Sequence, residues 1–415
     1  MKILLATFWI IPHVGGVWNY MSQLKKVLES LGHEVDILGY GEGNKYVYIV
    51  NEFRKVERSL LLPLVNDKLN VQLEPENYAD PVVKHCETER HVYELGASYL
   101  GLEKYDVIHT QDVISTVCLN RVKPIGPTLV ATLHGCVAHE MRLQTNSSPT
   151  SYMCKAYFDE LEHVGATSAT FTIVANEWLK NILTDEFHVP NEQIKILNYG
   201  YDTANFLKKI KEKPFIQLQH PVERPVDKKT ILYTGRLVEL KGVHHLISSL
   251  SHLKKIRSDW VCWIVGEGEK RAELQVQSKA LGVENDIFFL GKREDIPKIL
   301  SNTDIFVLPS LIENQSLSVI EAQITGKAVI VSDAGGLPEM VEHGVTGLIS
   351  PVGDVMSLCN NLESLIKNES YRQELGSNAK KWGMVHWSLE AGVKKVVEVY
   401  ELALSIKGGV GNSEN

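Results

Sequence analysis

The sequence predicts an α/β protein built from two doubly wound parallel sheets, each with helices on both faces. Three observations lead there. Short apolar runs alternate with helix-periodic stretches along most of the 415 residues. That length suits about two or three domains. Between Asn205 and Lys229 the alternation stops, and Pro214, Pro221 and Pro225 stand among lysines with little periodicity, as in a linker.

The elements follow in order. Residues 2–6 read as a strand, 17–31 as a helix with apolar positions at Val17, Met21, Leu24, Val27, Leu28 and Leu31 that stops at Gly32, and 34–38 as a second strand. Residues 106–109, 128–132 and 171–174 are further strands, each followed by a helix-compatible stretch. After the linker come strands at 230–234, 260–265, 286–290, 304–308, 328–332 and 347–350, separated by helices at 243–255, 270–281, 317–325 and 354–367. Residues 371–406 are helical with no strand left to cover, so the last helix, at about 388–406, is expected to cross back to the first domain. The expected division is 1–205, a linker at 206–229, and 230–387. Two such domains predict a cleft between the carboxyl ends of their sheets, where open α/β sheets hold ligands.

Composition narrows the function. With 43 Lys+Arg against 51 Asp+Glu the net charge is −8, which argues against a nucleic-acid coat. The six cysteines are scattered, without a C-x-x-C pair, so a reduced cytoplasmic chain is expected rather than a disulfide framework or a zinc site. No apolar run reaches the length of a membrane helix, and the apolar start, interrupted by Pro12 and Gly15-Gly16, reads as a buried strand rather than a signal peptide.

The loops after the strands hold the chemistry. Gly235-Arg236-Leu237-Val238-Glu239-Leu240-Lys241-Gly242 combines a glycine turn with two cations, as a diphosphate requires. Alone, each charge is as well explained by solvation; together after a strand they favour a site. Gly266 lies in a Gly-x-Gly without the third glycine of a dinucleotide fingerprint, which disfavours a dehydrogenase. Lys292 and Arg293 follow the next strand, where backbone contacts suit a base. Glu313 and Glu321 stand eight positions apart around an expected helix start near Ser316, where the free N–H groups of Ser316, Leu317 and Ser318 would favour an anion. Glu321 then suits two vicinal ribose hydroxyls, and Glu313 a sugar. Gly335-Gly336 opens another helix. In the first domain Gly15-Gly16, His109 with Asp112, and His134 end strands at one sheet edge; His134, before Gly135, is the candidate for function, while His109 is balanced between a structural and a functional role.

Taken together, Gly235-Arg236…Lys241-Gly242, Val265-Gly266-Glu267-Gly268, Glu313…Glu321-Ala322, Gly335-Gly336-Leu337-Pro338-Glu339, Gly15-Gly16 and Leu133-His134-Gly135 resemble the retaining, nucleotide-sugar-dependent glycosyltransferases of the GT-B fold, family 4, over nearly the whole chain. The resemblance implies Arg236 and Lys241 on the donor diphosphate, Glu321 on its ribose, Glu313 on its sugar, the backbone at Lys292 and Arg293 on the base, Gly16 beside the diphosphate or acceptor, and His134 near the anomeric carbon. It implies a nucleoside-diphosphate sugar, UDP-linked in the leading expectation, a hydroxyl acceptor on a glycan, lipid or small molecule, and no cofactor. A weaker likeness to spore-coat-associated members rests on His13-Val14-Gly15-Gly16-Val17-Trp18-Asn19-Tyr20. The expected location is the cytoplasm, with the inner membrane face or a spore coat as peripheral sites.

Two departures stand out: Asn314-Gln315-Ser316 replaces glycines flanking an aromatic, and Tyr199-Gly200-Tyr201-Asp202 replaces Asn-Gly-x-Asp. With no Asp-x-Asp in the chain, the expected diphosphate site uses side-chain cations and no metal. A nucleotide-sugar epimerase of the same fold and a coat or scaffold protein that binds donor without transfer are the alternative functions.

Overall fold

The computed structural model describes residues 1–12, 15–52, 54–72, 80–144, 152–212 and 227–410. His13, Val14 and the linker prolines Pro214, Pro221 and Pro225 lie outside the described residues. The chain divides into two units, one of residues 1–199 with 389–415, the other of residues 200–388.

The first unit holds strands β1 (Lys2–Ile10), β2 (Glu34–Tyr40), β3 (Tyr46–Ile49), β4 (Arg54–Glu57), β5 (Val107–Thr110), β6 (Thr128–Leu133), β7 (Phe171–Val174) and β8 (Ile194–Ile196). They order as β4-β3-β2-β1-β5-β6-β7-β8. β1 pairs parallel with β2 and β5, and β5 through β8 pair parallel in sequence. The expectation of a wholly parallel sheet needs correction at one edge, where β2–β3 and β3–β4 are antiparallel. Both added strands are only four residues long and joined by short turns, so no crossover helix announces them. The central strands are buried on both faces, as a sheet covered by helices demands.

One face of this sheet packs with Tyr20, Met21, Leu24 and Leu28 of helix Gly16–Ser30 and with Leu389, Val393, Val396, Val399, Tyr400 and Ala403 of helix Leu389–Val410. His109 is fully buried there: its Nδ1 is joined to Tyr400 Oη at 2.6 Å and its Nε2 to Thr132 Oγ1 at 2.7 Å. Burial lowers its pKa to about 3. The structure resolves its balanced roles in favour of the core.

The second unit holds β9 (Lys229–Thr234), β10 (Trp260–Val265), β11 (Ile287–Gly291), β12 (Ile305–Leu308), β13 (Ala328–Ser332) and β14 (Leu348–Ser350). Their order is β11-β10-β9-β12-β13-β14, with parallel pairing throughout. The linker expected at 206–229 is corrected at its start: Thr203–Lys211 is a helix, opened by Asp202 accepting from the Asn205 N–H at 3.0 Å, and its Phe206 joins this unit's core. Three lysines in its last turn, favourable beside helix carbonyls, read from sequence as linker charge.

Candidate functional site

The loops after β9 to β13 are stitched edge to edge by backbone hydrogen bonds. Gly266 N–H donates to Gly291 O at 2.9 Å, Leu237 N–H to Glu267 O at 2.9 Å, Leu311 N–H to Leu240 O at 2.8 Å, and Gly336 N–H to Glu313 O at 2.9 Å. Each bond joins neighbours in the sheet order, so the rim is continuous from the loop after β11 to the loop after β13. This rim collects the expected donor residues Gly235, Arg236, Lys241, Gly266, Lys292, Arg293, Glu313, Ser316 and Gly335 at one sheet edge, and Leu317 and Glu321 follow on helix Leu317–Ile324.

The glycines serve the rim itself. A Cβ on Gly266, at φ +141°, would lie 1.8 Å from Gly235 O, and one on Gly335, at φ +59°, would lie 2.0 Å from Glu313 O. Gly266 and Gly335 are among the expected donor contacts, and the geometry shows that each also makes room for an adjoining loop.

Lys241 and Glu313, expected to meet different parts of a donor, meet each other: Lys241 Nζ donates to Glu313 Oε2 at 2.5 Å. Both are largely shielded, at 18% and 15% side-chain exposure, so removing either partner would leave a poorly solvated charge. Ser310 Oγ lies 3.4 Å from the same carboxylate oxygen. Arg236 is exposed and makes no ion pair among the described residues. Arg293 is occupied by Asp295 through two 2.8 Å bonds, while Lys292 is exposed.

The helix start also differs from expectation. Ser316 is the N-cap, yet its N–H is not free, since it points at Met340 Sδ at 3.3 Å, and its Oγ lies 3.0 Å from Ser318 Oγ. Asn314, Gln315 and Ser316 are all buried. Glu321 accepts a 2.6 Å hydrogen bond from Tyr201 Oη. Burial pushes its pKa up to about 7, against the smaller pulls of that hydrogen bond and of Lys209. Tyr201 is a partner of Glu321 that the sequence does not announce. It lies 120 positions from Glu321, and its string reads as a displaced turn.

In the first unit, Gly15 is the N-cap of helix Gly16–Ser30, without a side-chain cap, and Gly16 is exposed. His134 follows β6 and packs against Tyr20 and Tyr199, with ring centroids 5.2 and 4.7 Å away. Its Nε2 lies 3.0 Å from Gln111 Oε1. Burial lowers its pKa to about 3, so the imidazole is neutral near pH 7. Behind it, the fully buried Glu162 accepts from the Ala138 N–H at 3.1 Å and so anchors the start of the helix that follows the His134 loop. Asp112 is an N-cap, taking Ser115 N–H at 2.7 Å as well as Thr7 Oγ1 and Phe8 N–H at 2.9 Å, and is therefore structural.

A two-unit α/β chain with a charged loop rim at the carboxyl edge of its second sheet has the construction of an enzyme that handles nucleotide-activated groups, and comparison with known proteins places it. Residues 14–205 match the model described as Glycosyltransferase Family 4, and residues 216–382 match Glycosyl transferases group 1. The chain belongs to the GT-B glycosyltransferases of family 4. It is 25% identical over 413 residues to an uncharacterized glycosyltransferase of Methanocaldococcus jannaschii, covering 98% of this chain and 100% of that one. It is 24% identical over 397 residues to the N-acetyl-alpha-D-glucosaminyl L-malate synthase of Bacillus anthracis, covering 94% and 93%. Among solved structures, sucrose-phosphate synthase of Thermosynechococcus elongatus shares the fold with a TM-score of 0.75 at 19% identity, covering 98% and 99%. HepE of Anabaena, solved with UDP, gives 0.68 at 20% identity, covering 97% and 100%. No helix among the described residues is long and apolar enough to cross a membrane.

Proposed function

We propose that the protein transfers a sugar from a nucleoside-diphosphate donor, UDP-linked, to an acceptor hydroxyl with retention of the anomeric configuration and without a metal ion. The observation that carries this reading is the bonded loop rim, which gathers Arg236, Lys241 and Glu313 at one sheet edge, with Glu321 on the helix that follows. The UDP assignment draws on HepE, a structural neighbour solved with UDP and with UDP-glucose. The relatives include an N-acetyl-alpha-D-glucosaminyl L-malate synthase and a galactosyltransferase acting on a diphosphoundecaprenol-linked sugar, and they favour small molecules and lipid-linked glycans as the acceptor classes.

In the proposed reaction the bond from the anomeric carbon to the diphosphate oxygen breaks, and a bond to the acceptor oxygen forms on the same face. The acceptor's proton passes to the departing diphosphate. Arg236 and Lys241 stabilise the negative charge that grows on the leaving group, which is most effective when they are already in place. Donor entry exchanges the Lys241–Glu313 bond for contacts of Lys241 with phosphate and of Glu313 with sugar hydroxyls. Glu321 accepts the ribose hydroxyls. His134, whose burial lowers its basicity, holds a substrate hydroxyl by hydrogen bonding and is too weak a base to carry the acceptor's proton.

Thermal shift with UDP-, GDP-, ADP- and TDP-sugars tests the donor. A ligand at a hundred times its Kd stabilises by about 2.7 kcal/mol. Glu321→Ala is expected to weaken donor binding at least tenfold, on the order of 1.5–3 kcal/mol for a hydrogen bond to a charged group. Arg236→Ala is expected to lower kcat more than it lowers Tm, and EDTA to leave turnover unchanged. Unaltered donor affinity and turnover in both variants would defeat the assignment.

A further inference from the structure

The chain passes from its first unit to its second at Tyr199–Gly200 and returns at Ser388–Leu389. On the second unit's side the two passages are joined: Tyr201 and Ser388 form a parallel bridge, and Tyr201 N–H donates to Trp387 O at 2.9 Å. Each passage also sends one side chain to helix Leu317–Ile324. Trp387 Nε1 donates to Gln323 Oε1 at 2.8 Å, and Tyr201 Oη donates to Glu321 Oε1 at 2.6 Å. Gln323 Nε2 in turn donates to Met340 O at 2.7 Å, and Met340 receives the Ser316 N–H on its sulfur. The helix that carries Glu321 is therefore held at its start, on Glu321 itself and two residues beyond.

The phenol hydroxyl of Tyr201 has no evident packing purpose. Its ring is buried and meets Phe206 edge-on at 5.7 Å, a contact that phenylalanine would also make. Glu321 forms no ion pair among the described residues, so the phenol is its close fixed partner. A carboxylate offers about four lone-pair sites, and one phenol occupies one of them. The remaining sites stay available to a vicinal diol, with the carboxylate plane fixed.

We infer that Tyr201 is a positioning residue for the donor site: its hydroxyl orients the Glu321 carboxylate so that it accepts the two ribose hydroxyls of the nucleotide. This rests on the reading of Glu321 as the ribose ligand. Tyr201 then contributes to the discrimination between ribose and deoxyribose without touching either.

The test uses the full chain, wild type, Tyr201→Phe, Glu321→Ala and the double variant. Calorimetry measures Kd for UDP and for 2′,3′-dideoxy-UDP, with the GDP and ADP pairs run in parallel so that the best-bound base is used. Thermal melts and binding stoichiometry report the folded fraction, and the ratio of the two affinities is read on the same folded molecules. Wild type is expected to prefer the ribose form by about tenfold or more, the loss of hydrogen bonds to a charged group. Tyr201→Phe is expected to cut that preference to under about threefold while leaving dideoxy-nucleotide affinity within about twofold. The double variant should show no further loss beyond Glu321→Ala. If Glu321→Ala abolishes the preference and Tyr201→Phe keeps it, the role of Tyr201 is overturned while the ribose reading stands. If Glu321→Ala itself keeps the preference, both fall. An equal loss for the two nucleotides in Tyr201→Phe marks a general structural role and overturns the inference.

Discussion

Glu321 carries a carboxyl whose charge is finely balanced near neutrality. Its ordinary value of 4.5 is raised to about 7 by burial, with Tyr201 and Lys209 opposing. Because the folded value is raised, the folded state holds this proton more tightly than the unfolded chain. The cost to stability is absent below the unfolded value and fully present above the folded one. On the proposed reading of Glu321 as the ribose ligand, donor binding has the opposite need, since ribose hydroxyls donate to the ionised form. Affinity for a nucleotide sugar, whose phosphates do not titrate in this window, is therefore expected to fall as pH drops through about 7. Glu321→Gln should flatten that dependence, as Kd measured across the range would show. Lys241 and Glu313 give a second prediction at this scale. Lys241→Ala strands a shielded carboxylate and is expected to cost about 1–3 kcal/mol of stability, less than a fully buried pair would. In urea denaturation, Lys241→Ala/Glu313→Ala should recover part of that loss, and strictly additive effects would show that the pair does not matter to the resting fold. Both residues could be found in the sequence by type and loop position. Their mutual bond could not, because 72 positions separate them.

At the scale of the loop, a glycine beside a charged string suggests ligand approach, and the sequence carries no sign of a neighbouring loop that needs the same space. Gly335 shows the difference. Its positive φ is a backbone requirement readable from a glycine turn, but the 2.0 Å approach of its virtual Cβ to Glu313 O depends on β12 and β13 lying side by side. Gly282 is the natural comparison, with φ +70° and open space around its Cβ position. Gly282→Ala should cost about 1–2 kcal/mol, the left-handed backbone penalty alone. Gly335→Ala adds a clash with backbone and should cost about 2–4 kcal/mol, with a larger fall in kcat because Glu313 is displaced. Equal destabilisation in the two variants, measured by urea titration, would mean that the rim yields without cost. The same limit explains the missed strands: the repeated strand–helix alternation announced the parallel core, whereas β3, β4 and the three-residue β8 have too few residues to show a pattern.

Across the whole chain, alternation and the proline-rich break made two α/β units legible, and an apolar C-terminal helix without a strand of its own suggested a return to the first. What the pattern did not contain is how that helix is held. Leu389, Val393, Val396, Val399 and Tyr400 enter the core beneath the first sheet, and Tyr400 completes the hydrogen bonding of the buried His109. Burying one such side chain contributes about 1.5–3 kcal/mol. Five of them approach the entire stability of an ordinary domain, about 5–15 kcal/mol. Removal of residues 389–415 is therefore expected to unfold the first unit rather than merely loosen its end. Hydrogen exchange should show protection lost in β1 and β5–β7 while β9–β13 retain theirs. Tyr400→Phe is the graded version: it leaves His109 Nδ1 buried without its partner, at a cost of about 1–3 kcal/mol, and should lower protection in the first sheet without abolishing it. A truncated chain whose first sheet exchanged as slowly as the intact protein would show that the returning helix is only an appendage.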